Sequence, residues 1–171
     1  MTFLAMVRAR QDLLAYFQAQ LPAQIAAVNA LGVLAIPLAS DMSTYAAAPR
    51  LHQPETPALY VVPAVSGFRG TNWPALLQQQ HEFECCIQVG HQDEETAMDW
   101  VLGYTTAVLN ALEQWILRAA PLAHGQQLLF GSAREGEEAN VIRFQSTARE
   151  AFVPFYAEAV IPLTVIQDEA P

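Results

Sequence analysis

The segment FECCIQVGHQDEETAMDWVLGYTTAVLNALEQW, residues 83–115, constrains the fold more than any other part of the chain. In its first part Phe83, Cys85, Ile87 and Val89 alternate with Glu82, Glu84, Cys86 and Gln88. A period of two marks a half-buried strand, because successive side chains leave the backbone on opposite faces. From Asp93 onward the period becomes that of a helix: Ala97, Trp100, Val101, Tyr104, Ala107, Val108, Ala111 and Trp115 form one apolar stripe. The helix is expected over about 94–119. Asp93 is placed to cap its first turn, and Glu94 and Glu95 sit at the positive end of the helix dipole. A strand leading directly into an amphipathic helix must bury one face of each, which calls for a layered α+β arrangement.

The remaining segments extend that arrangement. Residues 3–20 carry Leu4, Val7, Leu14, Phe17 and Leu21 at helical spacing, with Thr2 as a cap and Pro22 as a stop. A second short helix is expected over 23–32, ending at Gly32. Residues 37–57 hold four prolines and no sustained period, so a long loop is expected there. ALYVV (58–62) reads as a strand ended by Pro63, and a second loop is expected over 64–79. QQLLFGS (126–132) and NVIRFQST (140–147) read as two strands flanking an acidic hairpin tip, AREGEEAN. The last strand, FYAEAVIPLTVI (155–166), contains Pro162, which cannot donate to a ladder and marks an edge or a bulge. The expectation is a single α+β domain over 1–171. Its sheet is mainly antiparallel, with the N-terminal helix and one long helix on one face.

The chain has 171 residues, enough to bury roughly 70% of its unfolded surface without disulfides or metals. Its net charge is −9 and all eight basic residues are arginines, with none clustered. Clamping a nucleic-acid backbone requires grouped Lys and Arg, so that role is excluded. The low charged fraction, 15%, leaves apolar surface for contacts with other subunits. The opening MTFLAMVRARQD has too short an apolar run for a signal peptide, and ALGVLAIPLA (30–39) is about half of what a bilayer requires. A protein made in a reducing cytoplasm, with no membrane role, is expected.

None of four chemistries is legible in the sequence. His81 and His91 would lie roughly 30 Å apart on an unbroken strand, and Cys85 and Cys86 point to opposite faces. The expectation is therefore one buried and one half-exposed thiol, with no metal ligand set. No nucleophile motif occurs, and Glu82 and Glu84 would raise a neighbouring thiol's pKa. Gly67-Phe68-Arg69-Gly70 matches a G-x-x-G clamp, but it lacks a basic face and reads as a tight turn. The pair Glu94–Glu95 fits dipole compensation, and Glu135, Glu137 and Glu138 fit a solvated tip. No catalytic, metal-binding or cofactor-binding residue is assigned, no cofactor is expected, and the chain is read as a non-enzyme.

The order of elements resembles the small tail-terminator, tail-completion and neck proteins of long-tailed bacteriophages. The resemblance is carried by the opening helix ending LPAQIAAVNAL, by PALYVVPA after a Pro-rich loop, and by FECCIQVGHQDEETAMDWVLGYTTAVLNAL. The pair of strands around GSAREGEEANVIRF and the final EAVIPLTVIQ complete it. It implies a structural virion protein of the tail or neck, made in the host cytoplasm. Copies would form a ring, usually a hexamer, that ends the tail tube and joins it to the neck. Its partners would be further copies, the tail tube protein and neck or connector proteins, with DNA as passing cargo in the lumen. The two long loops would order on meeting neighbours. The acidic tip Glu135, Glu137 and Glu138 is a candidate for the lumen or for an adjoining ring. The final strand, at Ala159, Ile161, Leu163 and Val165, is a candidate intersubunit edge. Three other readings stand beside this one. One is a head–tail adaptor or stopper of the neck. A second is a small enzyme with a site assembled from scattered residues such as His124, Tyr104 and Glu84. A third is a general interaction module in a bacterial complex.

Overall fold

The computed structural model describes residues 2–47, 55–69, 78–118, 126–130, 141–147 and 155–168. Among them run α1 (Thr2–Ala30), β1 (Thr44–Ala46), β2 (Ala58–Arg69), β3 (Gln78–His91), α2 (Glu94–Arg118), β4 (Gln126–Phe130), β5 (Arg143–Thr147) and β6 (Phe155–Asp168). The strands make one mixed sheet in the order β1-β2-β3-β6, with β4 and β5 both beyond β6. All pairings are antiparallel except that of β1 with β2. The α+β architecture is as expected, with both helices on one face.

Helix α1 is a single helix of 29 residues, not two, and Pro22 lies inside it. Its buried stripe is Ala9, Leu13, Phe17, Leu21, Ile25 and Val28, which continues past the proline. Of the residues expected in the stripe, Phe17 and Leu21 belong to it, whereas Val7 is exposed. Pro22 lies off the stripe, and the carbonyl it leaves unbonded belongs to Gln18, an exposed residue that water can serve. An interior proline costs about 3 kcal/mol. Burying Leu21 and Ile25 on either side of it returns roughly 3–6 kcal/mol, so packing outweighs the break. Gly32, at φ +64°, closes the helix in the left-handed region, with Leu31 N–H on the Val28 carbonyl and Gly32 N–H on that of Asn29, both at 3.1 Å.

Helix α2 buries the expected stripe, Ala97, Val101, Tyr104, Ala107, Val108, Ala111 and Trp115, with Trp100 half-buried at its margin. The middle of α1 is joined to the C-terminal half of α2. The Tyr16 hydroxyl donates to the Ala111 carbonyl at 2.7 Å, and the Tyr16 and Trp115 rings lie 4.2 Å apart. Beneath them Leu59, Val61, Phe83, Cys85, Ile87, Val89, Ala159, Ile161, Leu163 and Val165 form the inner face of the sheet. On the opposite face Ala58, Tyr60, Cys86 and Val160 form a second, smaller buried cluster.

The loop expected over 37–57 is irregular where described apart from β1, whereas the one expected over 64–79 is corrected. Residues 37–47 follow a defined path. The Asn29 amide bonds Leu38 in both directions, the Trp100 indole holds the Ile36 carbonyl at 3.0 Å, and the Asp41 carboxylate takes the Tyr45 hydroxyl at 2.6 Å. The path ends in β1, alongside β2. A side chain at Gly103 would meet Leu34 and Leu38 at 3.1 Å, so the absence of a Cβ lets this strap seat on α2. Of the loop expected over 64–79, residues up to Arg69 belong to β2 and those from Gln78 to β3. Strand β2 does not end at Pro63. A register shift between Pro63 and Val65 takes up the missing donor as a bulge, and pairing with β3 resumes to Arg69. Gly67, Phe68 and Arg69 are therefore strand residues, not a turn. Residues 48–54 and 70–77 lie outside the described residues.

Candidate functional site

The final strand decides where copies of this chain could meet. Strand β6 pairs with β3 along its whole length on one side. On the other side it pairs with β5 through Tyr156–Val160 and with β4 through Leu163–Gln167. It is interior, not an edge. The expected intersubunit residues Ala159, Ile161, Leu163 and Val165 are all fully buried beneath the helices. The correction has a physical reason: an alternating apolar strand reads alike at the centre and at the margin, and only the partners distinguish them.

Strands β4 and β5 do not form a hairpin with each other. Both run antiparallel to β6, so they follow one line in the same direction. Phe130 lies opposite Leu163 and Arg143 opposite Val160. Between these two points on β6 lie Ile161 and Pro162, and no strand pair on this side involves either among the described residues. The acidic candidates Glu135, Glu137 and Glu138 fall between β4 and β5 in the chain and lie outside the described residues.

The margins of the sheet are β1 on one side and the β4–β5 line on the other. The β5 margin is exposed. Val141 is 52% and Phe144 42% accessible, and the Arg143 side chain is 58% accessible while it donates Nη2–H to Glu84 at 2.8 Å. After α1, Leu31 is 68%, Val33 74% and Ile36 44% accessible, and on α2 Leu102 is 46% accessible. These apolar positions were not singled out from the sequence. ALGVLAIPLA reads only as an apolar run too short to span a bilayer, and nothing in it tells which members face outward.

The described residues that could carry chemistry are dispersed. His81 is fully buried on β3, and desolvation holds its pKa below the usual histidine value. His91 is at the far end of the same strand, where its Nδ1 accepts the Asp93 N–H at 3.0 Å. Cys85 lies in the helix-side core and Cys86 in the outer cluster. Both are buried, which corrects the expectation of one half-exposed thiol. Burial pushes the Cys85 thiol far up. Burial, then Glu158 and Glu84, pushes Cys86 up to about 12. Tyr104 packs in the helix layer and donates to the Ala39 carbonyl at 3.4 Å, its pKa raised to about 12 mainly by burial. Glu84 is on the outer face of the sheet, so the two do not meet, and His124 lies outside the described residues. No group of three His, Cys, Asp or Glu placed to hold a metal occurs among the described residues. None of the described helices is long and apolar enough to cross a membrane.

No protein-family model matches the chain, and no curated protein matches it. Among solved structures, a chain titled "Virion of native gene transfer agent (GTA) particle" overlaps with a TM-score of 0.36 and 15% identity. The overlap spans 87% of this chain and 93% of that one.

Proposed function

We propose that this chain is a structural protein of a phage-like virion. In this reading its copies form a ring, a hexamer by the habit of the proteins it resembles, that ends the tail tube and joins it to the neck. DNA passes through the lumen. The observation that supports the reading is the order of elements: helix, strand after a Pro-rich strap, alternating strand turning through an acidic cap into a long helix, an interrupted strand line, and a long final strand. That order matches the one the resemblance implies, except that the resemblance has a pair of strands where β4 and β5 follow one line.

Charge supports the same reading. A net charge of −9 without any lysine repels the phosphate backbone, and repulsion keeps residence short as DNA slides past. A cyclic ring needs two different surfaces on each subunit, and the sheet supplies two different margins. Glu135, Glu137 and Glu138 belong in this reading to the lumen or to the adjoining ring. Tail tube and neck proteins are the partners, and the virion tail or neck is the location.

The test is particle assembly without this chain. Heads and tails that stay separate, or tubes left without a closed end, are expected. Density for the chain in imaged particles then distinguishes the tube end from a head–tail adaptor position. Complete, infectious particles assembled in its absence would sink the reading.

A further inference from the structure

We infer that the outer face of the second half of α1, with Leu31 and Val33 beyond it, packs against the same face of a second copy of this chain. The contact is two-fold and does not by itself close a ring, so it goes beyond the ring reading and stands independently of it.

The first observation is composition. From Leu13 to Ser40 the sequence holds no charged side chain. Over 21–31, LPAQIAAVNAL, the two polar side chains do not serve the outer face: Gln24 is buried, and Asn29 is spent on Leu38. A surface helix carries polar or charged residues on its outer side, whereas a helix apolar all round is buried. Helix α2 keeps to that rule. Among its described side chains the exposed ones are Glu94, Glu95, Asp99, Leu102, Thr106 and Glu113. The first half of α1 likewise exposes Arg8 and Gln11.

The second observation is exposure. Ala23, Ala26, Ala27 and Ala30 are exposed, opposite the buried Leu21, Gln24, Ile25 and Val28. Spacings of three and four put these alanines on one face. Leu31 and Val33 follow at 68% and 74% accessible. They are two residues apart, a span of at most about 7 Å, so they extend this end of the helix and are not a separate patch. With only methyl groups protruding, a second helix can approach to an interaxial distance of about 8 Å.

The absence of charge says what covers the face. A charged partner surface laid on these methyl groups would lose water without gaining an opposite charge. The partner must therefore be uncharged there, and the chain itself carries such a face. Two copies, each at −9, repel where their acidic surfaces meet, and contact through this face brings no charge of residues 13–40 into it from either side. The same patch on both subunits makes the contact isologous.

Sedimentation velocity of the full chain tests this. The wild-type chain is a dimer, or a pair of rings where it also closes rings. Ala27→Glu and Val33→Glu each halve the assembled mass, and Thr106→Glu on the outer side of α2 leaves it unchanged. Added salt strengthens the contact, because it screens repulsion between two acidic copies. Single variants Ala23→Cys, Ala26→Cys and Ala27→Cys, oxidised, include at least one that forms a disulfide-linked dimer with itself. The buried Cys85 and Cys86 do not compete. Circular dichroism checks folding, and the cross-links and the salt response decide the matter even where a glutamate variant unfolds. Unchanged mass in both glutamate variants overturns the inference, as does a contact that salt weakens, which would be made through ion pairs. Failure of all three cysteines to cross-link means that unlike faces meet, and overturns it too. A wild-type chain that is monomeric at every concentration does the same, and particle imaging decides the ring reading separately.

Discussion

The side-chain amide of Asn29 replaces a backbone pair for Leu38: its Nδ2 donates to the Leu38 carbonyl at 3.0 Å, and its Oδ1 accepts the Leu38 N–H at 2.9 Å. Through this pair the end of α1 directs the strap that carries β1. Both bonds are partly buried, so breaking them strands two backbone groups. Asn29→Ala is expected to cost about 2 kcal/mol, from two bonds of about 1 kcal/mol each. Asn29→Asp keeps the acceptor but loses the donor and should fall between. Denaturant unfolding gives the ranking, and amide exchange should show the loss concentrated at residues 36–46. An Asn29→Ala variant with unchanged exchange there would remove Asn29 from this role.

Asp93 caps α2 through its Oδ2, which accepts the Thr96 N–H at 2.8 Å and the Thr96 hydroxyl at 2.7 Å. These bonds, the hydroxyl first, hold its pKa below the ordinary carboxylate value. A carboxylate with a lowered native pKa adds stability that is complete above its unfolded pKa and lost as pH falls through the native one. Asp93→Asn should retain much of the cap and abolish that acid dependence, whereas Asp93→Ala should lose both. Melting temperatures recorded from pH 7 to pH 2.5 separate the two. Equal acid sensitivity in wild type and Asp93→Asn would contradict the assignment.

His81 contributes in the opposite direction to most native histidines. Its burial favours the neutral ring and lowers the native pKa, so the unfolded chain takes up a proton that the folded chain refuses. Stability from this group is therefore complete above about pH 6.5 and declines as pH falls below it, toward a limiting slope of about 1.4 kcal/mol per pH unit. Substitution by Gln should flatten the decline between pH 7 and 5.5, whatever it does to stability at neutral pH. An unchanged slope would place the titration elsewhere.

Neither cysteine should react while the chain is folded. Both thiols are buried, and the pKa values raised by burial leave almost no thiolate at pH 8. Mass spectrometry after iodoacetamide treatment is expected to show no adduct on native protein and two on unfolded protein. Rapid labelling of Cys86 in the native state would mean that the outer cluster opens.

The two periodicities were readable without any structure. The change from period two to period 3.6 at Asp93 located β3, α2 and the cap between them, and Gly32 marked a helix end, though of a separate short helix rather than of α1. Local chemistry sufficed in these places because the groups involved are neighbours in the chain. Pro22 and Pro63 misled for a common reason. A proline removes one donor, a local cost of about 3 kcal/mol in a helix interior, and whether the element stops depends on packing the residue itself does not report. Leu21 with Ile25 carried α1 past one, and the long partner β3 carried β2 past the other.

Composition and pattern alone determined that this chain folds as helices over a largely antiparallel sheet, because side-chain direction along the backbone is a local property. Only the tertiary structure decided that β6 lies at the centre, that β4 and β5 share one line, and that Val33 and Phe144 face outward. Strand order and exposure depend on which distant segments come together, and an alternating apolar strand is equally satisfied with a neighbour on one side or on both.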